Sequence, residues 1–166
     1  MTPQDALHRG ITELGLELPQ GSEALLMRYA ALLEKWNRIY NLTAIRTPAE
    51  VVSHHLLDSL AVVPHLPVPA EGALADVGAG AGLPGIPIAL ARPQWRVTLN
   101  DSSEKKLAFL RQAAIELDLS NVEPTAHPLD LVNAWAEDEP RPSLSVEDAL
   151  ANAPDRDGDL FRVPAG

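Results

Sequence analysis

The sequence predicts an α/β fold, half of a doubly wound parallel sheet preceded by a group of helices. Three observations carry that prediction. The stretch 74–77 is a short apolar strand that runs into a turn with glycine at every second position, Gly78-Ala79-Gly80-Ala81-Gly82, before a helix starting near Pro84. A second strand, Trp95-Arg96-Val97-Thr98-Leu99-Asn100, is followed by Asp101, nineteen residues after Gly82. A further helix and a third extended segment follow, and this alternation gives parallel strands joined by crossover helices.

The elements follow in order. Over 4–17 the apolar residues Leu7, Ile11 and Leu14 define a short amphipathic helix, ended by the Pro19–Gly21 stretch. Ser22 is placed to cap the next helix. There Leu25, Leu26, Tyr29, Leu32, Leu33, Trp36 and Ile39 recur at three and four residues, an apolar face that assigns Tyr29 and Trp36 to the core. Arg28, Lys35 and Arg38 fall on its more polar side and read as a solvated face. Thr47-Pro48-Ala49-Glu50 is a capping box with proline at the first helical position. The helix it starts buries Val52, Leu56, Leu60 and Val63 and ends before Pro64. The proline-rich stretch 64–72 links these helices to the sheet. After the second strand, Ser102 or Ser103 opens a helix with Leu107, Leu110, Ala114 and Leu117 inward and Lys105, Lys106 and Arg111 exposed. Asn121-Val122-Glu123 begins the third strand.

Composition excludes several classes of function. At 166 residues the chain has the length of one domain and can bury a core. It contains no cysteine, which removes disulfides, zinc–thiolate sites and cysteine nucleophiles. No run of eighteen apolar residues and no basic-then-apolar N-terminus is present, so the expectation is a soluble, cytoplasmic protein. The net charge of −10 opposes strong nonspecific nucleic-acid binding. That charge is uneven: residues 124–166 carry three Arg against nine Asp and Glu, so six of the ten net negative charges lie there.

The glycine turn is the candidate site. Glycine permits the backbone angles of a strand-to-helix turn and lets a ligand approach the main chain, while the helix start offers unpaired N–H groups and partial positive charge. The ligand favoured is nucleotide-like, with a carboxylate or phosphate. Gly78-x-Gly80-x-Gly82 is the spacing typical of S-adenosylmethionine (AdoMet) methyltransferases, whereas Gly80-x-Gly82-x-x-Gly85 satisfies the dinucleotide fingerprint. Asp101, at the end of the second strand, is placed to accept from ribose hydroxyls in either case. The plain alternative is an ordinary tight turn. A Ser–His–Asp hydrolase built from Ser53, His54, His55, Asp58 and Ser59 lacks a nucleophile elbow, and His54 and Asp58 make an i,i+4 pair unaided. A metal site there is disfavoured because adjacent histidines point to different helix faces.

Taken together, Trp36-Asn37-Arg38-Ile39-Tyr40-Asn41-Leu42-Thr43-Ala44-Ile45-Arg46, His55-Leu56-Leu57-Asp58-Ser59-Leu60, Asp76 through Pro87, and Asp101-Ser102 with Lys105-Lys106-x-x-Phe109-Leu110-Arg111-Gln112 resemble one family. It is the bacterial 16S rRNA guanine-N7 methyltransferases, also called glucose-inhibited division protein B, and the likeness spans about residues 5–126. The resemblance implies a Rossmann-like AdoMet-dependent methyltransferase with an N-terminal helical cap, here truncated after about the third strand. On that reading residues 1–64 are the cap, 72–126 a partial AdoMet-binding domain, and 127–166 a divergent acidic, proline-rich tail. It implies AdoMet as cofactor, with Gly78 and Leu83 in contact, Gly80 and Gly82 shaping the turn, and Asp101 on the ribose. Its substrate is N7 of a guanine in 16S rRNA of the small ribosomal subunit. No catalytic acid or base and no metal is assigned.

The likeness then stops. The family's arginine-aliphatic-acidic segment, which contacts the adenine, is replaced by Pro128-Leu129-Asp130, leaving Leu129 and Asp130 as cofactor-binding candidates. Residues 124–166 hold six of the fifteen prolines and no lysine, a composition that reads as disordered apart from a weak helix over 145–152. A sheet without its fourth strand leaves an edge open. The expectation is a monomer unless that edge associates. Two other functions stay open: an inactive remnant that at most binds AdoMet, and an NAD(P)-dependent oxidoreductase using Gly80–Gly85.

Overall fold

The computed structural model describes residues 2–66 and 72–126, with the backbone of 156–157 and 160–161. Residues 1–130 and 131–166 are two compact units. Leu129, Asp130 and the helix expected over 145–152 lie outside the described residues. In the second unit the strands β4 (Arg156–Asp157) and β5 (Leu160–Phe161) pair antiparallel.

Helix α1 (Pro3–Glu13) starts from a capping box that the sequence reading passed over. Thr2 Oγ1 accepts from the Asp5 N–H at 3.1 Å, and Asp5 Oδ2 accepts from the Thr2 N–H at 2.9 Å. Leu7 and Ile11 are buried. Helix α2 (Ser22–Tyr40) corrects the expectation for Ser22. Gly21 is the N-cap, and the Ser22 hydroxyl, already on the first turn, donates to the carbonyl of Leu90 at 3.0 Å. The expected core face holds for Leu26, Tyr29, Leu32 and Leu33 but not for Ile39, which is 72% exposed in the last turn of α2.

The helix expected from Thr47 is interrupted. After α3 (Pro48–Val51), a π-helical turn covers Val52–Leu57 before α4 (Asp58–Leu60). Val52, Leu56, Leu60 and Val63 are buried as expected; Ser59, assigned to the polar side, is buried too. A wider turn shifts which residues share a face, which a 3.6-residue template cannot anticipate. Leu57 of this turn packs directly on Gly10 of α1, where any side chain would collide.

The sheet is parallel, in the order β1-β2-β3: β1 (Gly72–Val77), β2 (Trp95–Asn100) and β3 (Val122–Thr125). Register pairs Gly72 with Trp95 and Val77 with Asn100, then Val97 with Val122 and Asn100 with Thr125. Helices α5 (Gly85–Ala91) and α6 (Glu104–Glu116) are the two crossovers. Because both connections advance in the same direction, right-handedness puts them on one face. Trp95, Val97 and Leu99 are buried toward that side, whereas Ala73, Ala75, Val77 and Arg96 alternate outward and are exposed. One hydrophobic core runs through helices and sheet alike, including Leu26, Leu33, Leu56, Ile86, Leu99 and Leu110. Among the described residues no helix is long and apolar enough to cross a membrane.

Candidate functional site

The glycine turn joins the C-terminal end of β1 to α5, beside the end of β2, which is where parallel α/β sheets bind ligands. Its hydrogen bonds account for its shape. The N–H groups of Gly78 and Ala79 both donate to the carbonyl of Asn100, at 2.8 and 2.9 Å, so the chain leaves β1 still attached to β2. Those of Gly82 and Leu83 donate to the carbonyl of Ala79, at 2.7 and 3.2 Å. Gly78 and Gly82 have φ of 79° and 86°, in the left-handed region that side chains disfavour. The two differ in surroundings. A Cβ on Gly82 would lie 2.6 Å from Ile86 Cδ1 and 2.9 Å from Leu110 Cδ2, whereas one on Gly78 would meet no atom within 4 Å. Gly82 thus lets the turn press on α5 and α6, and Gly78 borders open space. Leu83 is half-buried and packs against the core.

Two carboxylates tie the turn down. Asp101 Oδ2 accepts from the Gly80 N–H at 2.9 Å and from Lys106 Nζ at 3.3 Å, and its Oδ1 accepts from the Ser103 N–H at 2.8 Å. The residue is only 5% exposed. Burial by itself would raise the Asp101 carboxyl, but the N–H groups of Ser103 and Gly80 and the Lys106 ammonium outweigh it and hold the group below the usual carboxylate range. Asp76 Oδ2 accepts from the Gly85 N–H at 2.9 Å. Here burial dominates and, with the charge of Asp101 adding to it, raises the Asp76 carboxyl above the ordinary value despite the Gly85 hydrogen bond.

A third anchor comes from the helices. The hydroxyl of Tyr29, on α2 and fully buried, donates to the carbonyl of Ala81 at 2.6 Å. Tyr29, Asp76 and Lys106 were not assigned to the site from sequence. A tyrosine that bonds a backbone carbonyl 52 positions away leaves no pattern in the chain. Lys106, read as an exposed cation, could have been linked to Asp101 by its place one turn into the helix that Asp101 precedes.

The histidine cluster is structural. His55 Nε2 and Thr43 Oγ1 are 2.8 Å apart, and Ser53 Oγ donates to the carbonyl of Ala49 at 3.1 Å. Among the described residues His54 and Asp58 form no ion pair, so the expected i,i+4 contact is absent from this π-helical segment. A separate cleft of about 200 Å³ is lined by Asn37, Arg38, Thr43 and Arg46. Its polar groups serve the fold: Asn37 receives the Thr43 N–H and donates to the carbonyl of Ile45, and Arg38 pairs with Glu34 at 2.6 Å.

The family model for rRNA small subunit methyltransferase G matches residues 22–136. A second model, for the Glu-tRNAGln amidotransferase C subunit, matches residues 113–163. The chain is similar to ribosomal RNA small subunit methyltransferase G of Nitrosospira multiformis, 55% identical over 123 residues that cover 74% of this chain and 56% of the relative. With the protein of the same name from Alkalilimnicola ehrlichii it shares 57% identity, covering 69% and 50% of the two chains. The Burkholderia pseudomallei protein is 43% identical over 93% of this chain and 67% of its own. The chain therefore spans about half the length of the first two relatives.

Proposed function

Because the chain belongs to the rRNA small subunit methyltransferase G family, we propose that it binds AdoMet at the glycine turn for methyl transfer to N7 of a guanine in 16S rRNA. One observation carries this reading. At the ends of β1 and β2, Gly78 opens on unfilled space while an ionised carboxylate, Asp101, stands at the adjoining strand end. A carboxylate offers about four acceptor positions. Three of those of Asp101 are taken by Gly80, Ser103 and Lys106, which leaves one for a ribose hydroxyl. Gly78 and Leu83 line the cofactor, and Gly80 and Gly82 shape the turn. Leu129 and Asp130, outside the described residues, are adenine-contact candidates by the family resemblance alone.

AdoMet supplies an electrophilic methyl on a sulfonium centre. Guanine N7 presents a lone pair and no proton, so the chain's part is to align the two groups and exclude water, and no side chain is assigned as acid or base. The small-subunit rRNA is the partner, and no metal enters the scheme.

The test is calorimetric titration with AdoMet, followed by incubation with tritiated AdoMet and small ribosomal subunits that lack the modification. Binding followed by label at guanine N7 of 16S rRNA supports the full reading. Binding without transfer supports a remnant that keeps the cofactor site alone. Affinity for NAD(P)H in place of AdoMet would favour the oxidoreductase alternative.

The match of residues 113–163 to an amidotransferase C subunit favours a second role, confined to the C-terminal segment, as a subunit-like element of such an amidotransferase. Binding of the full chain to purified amidotransferase subunits tests it; loss of that binding on deletion of 137–166 is the expected result.

A further inference from the structure

We infer that Tyr29 is a positioning residue for the cofactor turn, so that AdoMet affinity depends on the N-terminal helices as well as on the turn itself. The inference rests on the AdoMet reading above and deepens it. Its basis is the hydroxyl of Tyr29, which donates to the carbonyl of Ala81 at 2.6 Å from a fully buried position. A peptide group is planar, so a bond to the Ala81 carbonyl also fixes the attached N–H of Gly82, which donates to Ala79 at 2.7 Å. That peptide unit is therefore clamped from both sides. The unit before Gly80 is held at its N–H by Asp101, at 2.9 Å. Between the two lies the Ala81 N–H, which has no partner among the described residues. Two fixed neighbours leave this N–H little freedom to turn away, and a donor fixed in advance costs a ligand less to engage.

The ring of Tyr29 is fixed independently of its hydroxyl. It packs near Phe109 of α6, with centroids 6.3 Å apart, and Phe109 in turn meets Trp36 at 5.6 Å. Tyr29→Phe therefore removes the clamp and leaves the packing in place. Ser22 provides a matched control. Its hydroxyl makes a comparable buried bond from α2 to α5, to Leu90 at 3.0 Å, but at the far end of α5 from the turn. Ser22→Ala loses a bond of the same kind without touching the site.

The experiment is calorimetric titration of wild type, Tyr29→Phe and Ser22→Ala with AdoMet, beside their melting curves without ligand. The expected result is a Kd raised roughly threefold to tenfold in Tyr29→Phe, the scale of one buried hydrogen bond, and unchanged in Ser22→Ala although both variants lose stability. Equal Kd values for wild type and Tyr29→Phe, or the same weakening in both variants, overturns the inference and leaves the AdoMet reading intact. A wild-type chain that does not bind AdoMet overturns both. If Tyr29→Phe does not fold, 3-fluorotyrosine placed at position 29 decides: its stronger donor should tighten AdoMet binding, and an unchanged Kd overturns the inference.

Discussion

Asp76 and Asp101 are both aspartates at the ends of neighbouring strands, yet their surroundings move their carboxyls in opposite directions. Asp101 gains three donors for its burial and is held low; Asp76 gains one and is pushed up. The consequences for stability differ in sign. The stabilisation from Asp101 is present above its unfolded value of 3.8 and is lost as pH falls through its lower folded value. Ionised Asp76 costs the fold stability at neutral pH relative to its protonated form, and that cost is relieved as pH falls through its raised folded value toward 3.8. Asp76→Asn keeps an acceptor for the Gly85 N–H without the charge. Its Tm should therefore exceed that of wild type at pH 7, with the gap narrowing toward pH 4; a gap constant across that range would dismiss the assignment. Asp101→Ala strands the Gly80 and Ser103 N–H groups and the Lys106 charge. It should cost roughly 1–3 kcal/mol in denaturant unfolding and weaken AdoMet at least ~10-fold, in keeping with loss of a charged acceptor. Unchanged affinity would remove Asp101 from the ribose.

At the scale of the element, alternate glycines in the turn do different work. Gly78→Ala meets only the backbone penalty of a left-handed position, about 1 kcal/mol, because its Cβ would enter open space. Gly82→Ala adds to the same penalty a collision with Ile86 and Leu110, for a total of about 2–4 kcal/mol. The variants should thus separate: Gly78→Ala folds almost normally but binds AdoMet poorly, while Gly82→Ala shows its loss first in the melting curve. Equal stability losses would mean that the turn does not pack as described. The turn was legible in the sequence because strand, glycine alternation and helix start are local patterns. So were the core faces of α2 and α6, since each repeats at helical spacing. The anchors were not. Tyr29 and Ser22 act through backbone carbonyls, which any residue supplies, brought near only by the fold. The π-helical turn was hidden for another reason: Val52, Leu56 and Leu60 satisfy an α-helical template equally well.

Across residues 2–126 the helices and the sheet are not separable layers. Tyr29 joins α2 to the cofactor turn, Ser22 joins it to α5, and Trp36 joins it to Phe109 of α6. They lie in one compact unit with one core, so they should unfold together although the sequence divides them at a proline-rich linker. Tryptophan fluorescence tests this, since Trp36 reports on the helices and the buried Trp95 on the sheet. With Trp135→Phe as background, variants that retain only Trp36 or only Trp95 should give coincident midpoints, the mark of a two-state transition. AdoMet at 100 times its Kd adds about 2.7 kcal/mol, so both midpoints should rise together by roughly 5–10 °C. A Trp95 midpoint that rises while that of Trp36 stays would show helices that melt apart from the site. The clamp from Tyr29 would then be too weak to couple them, because a bond that governs affinity must also carry the ligand's stabilisation back into α2.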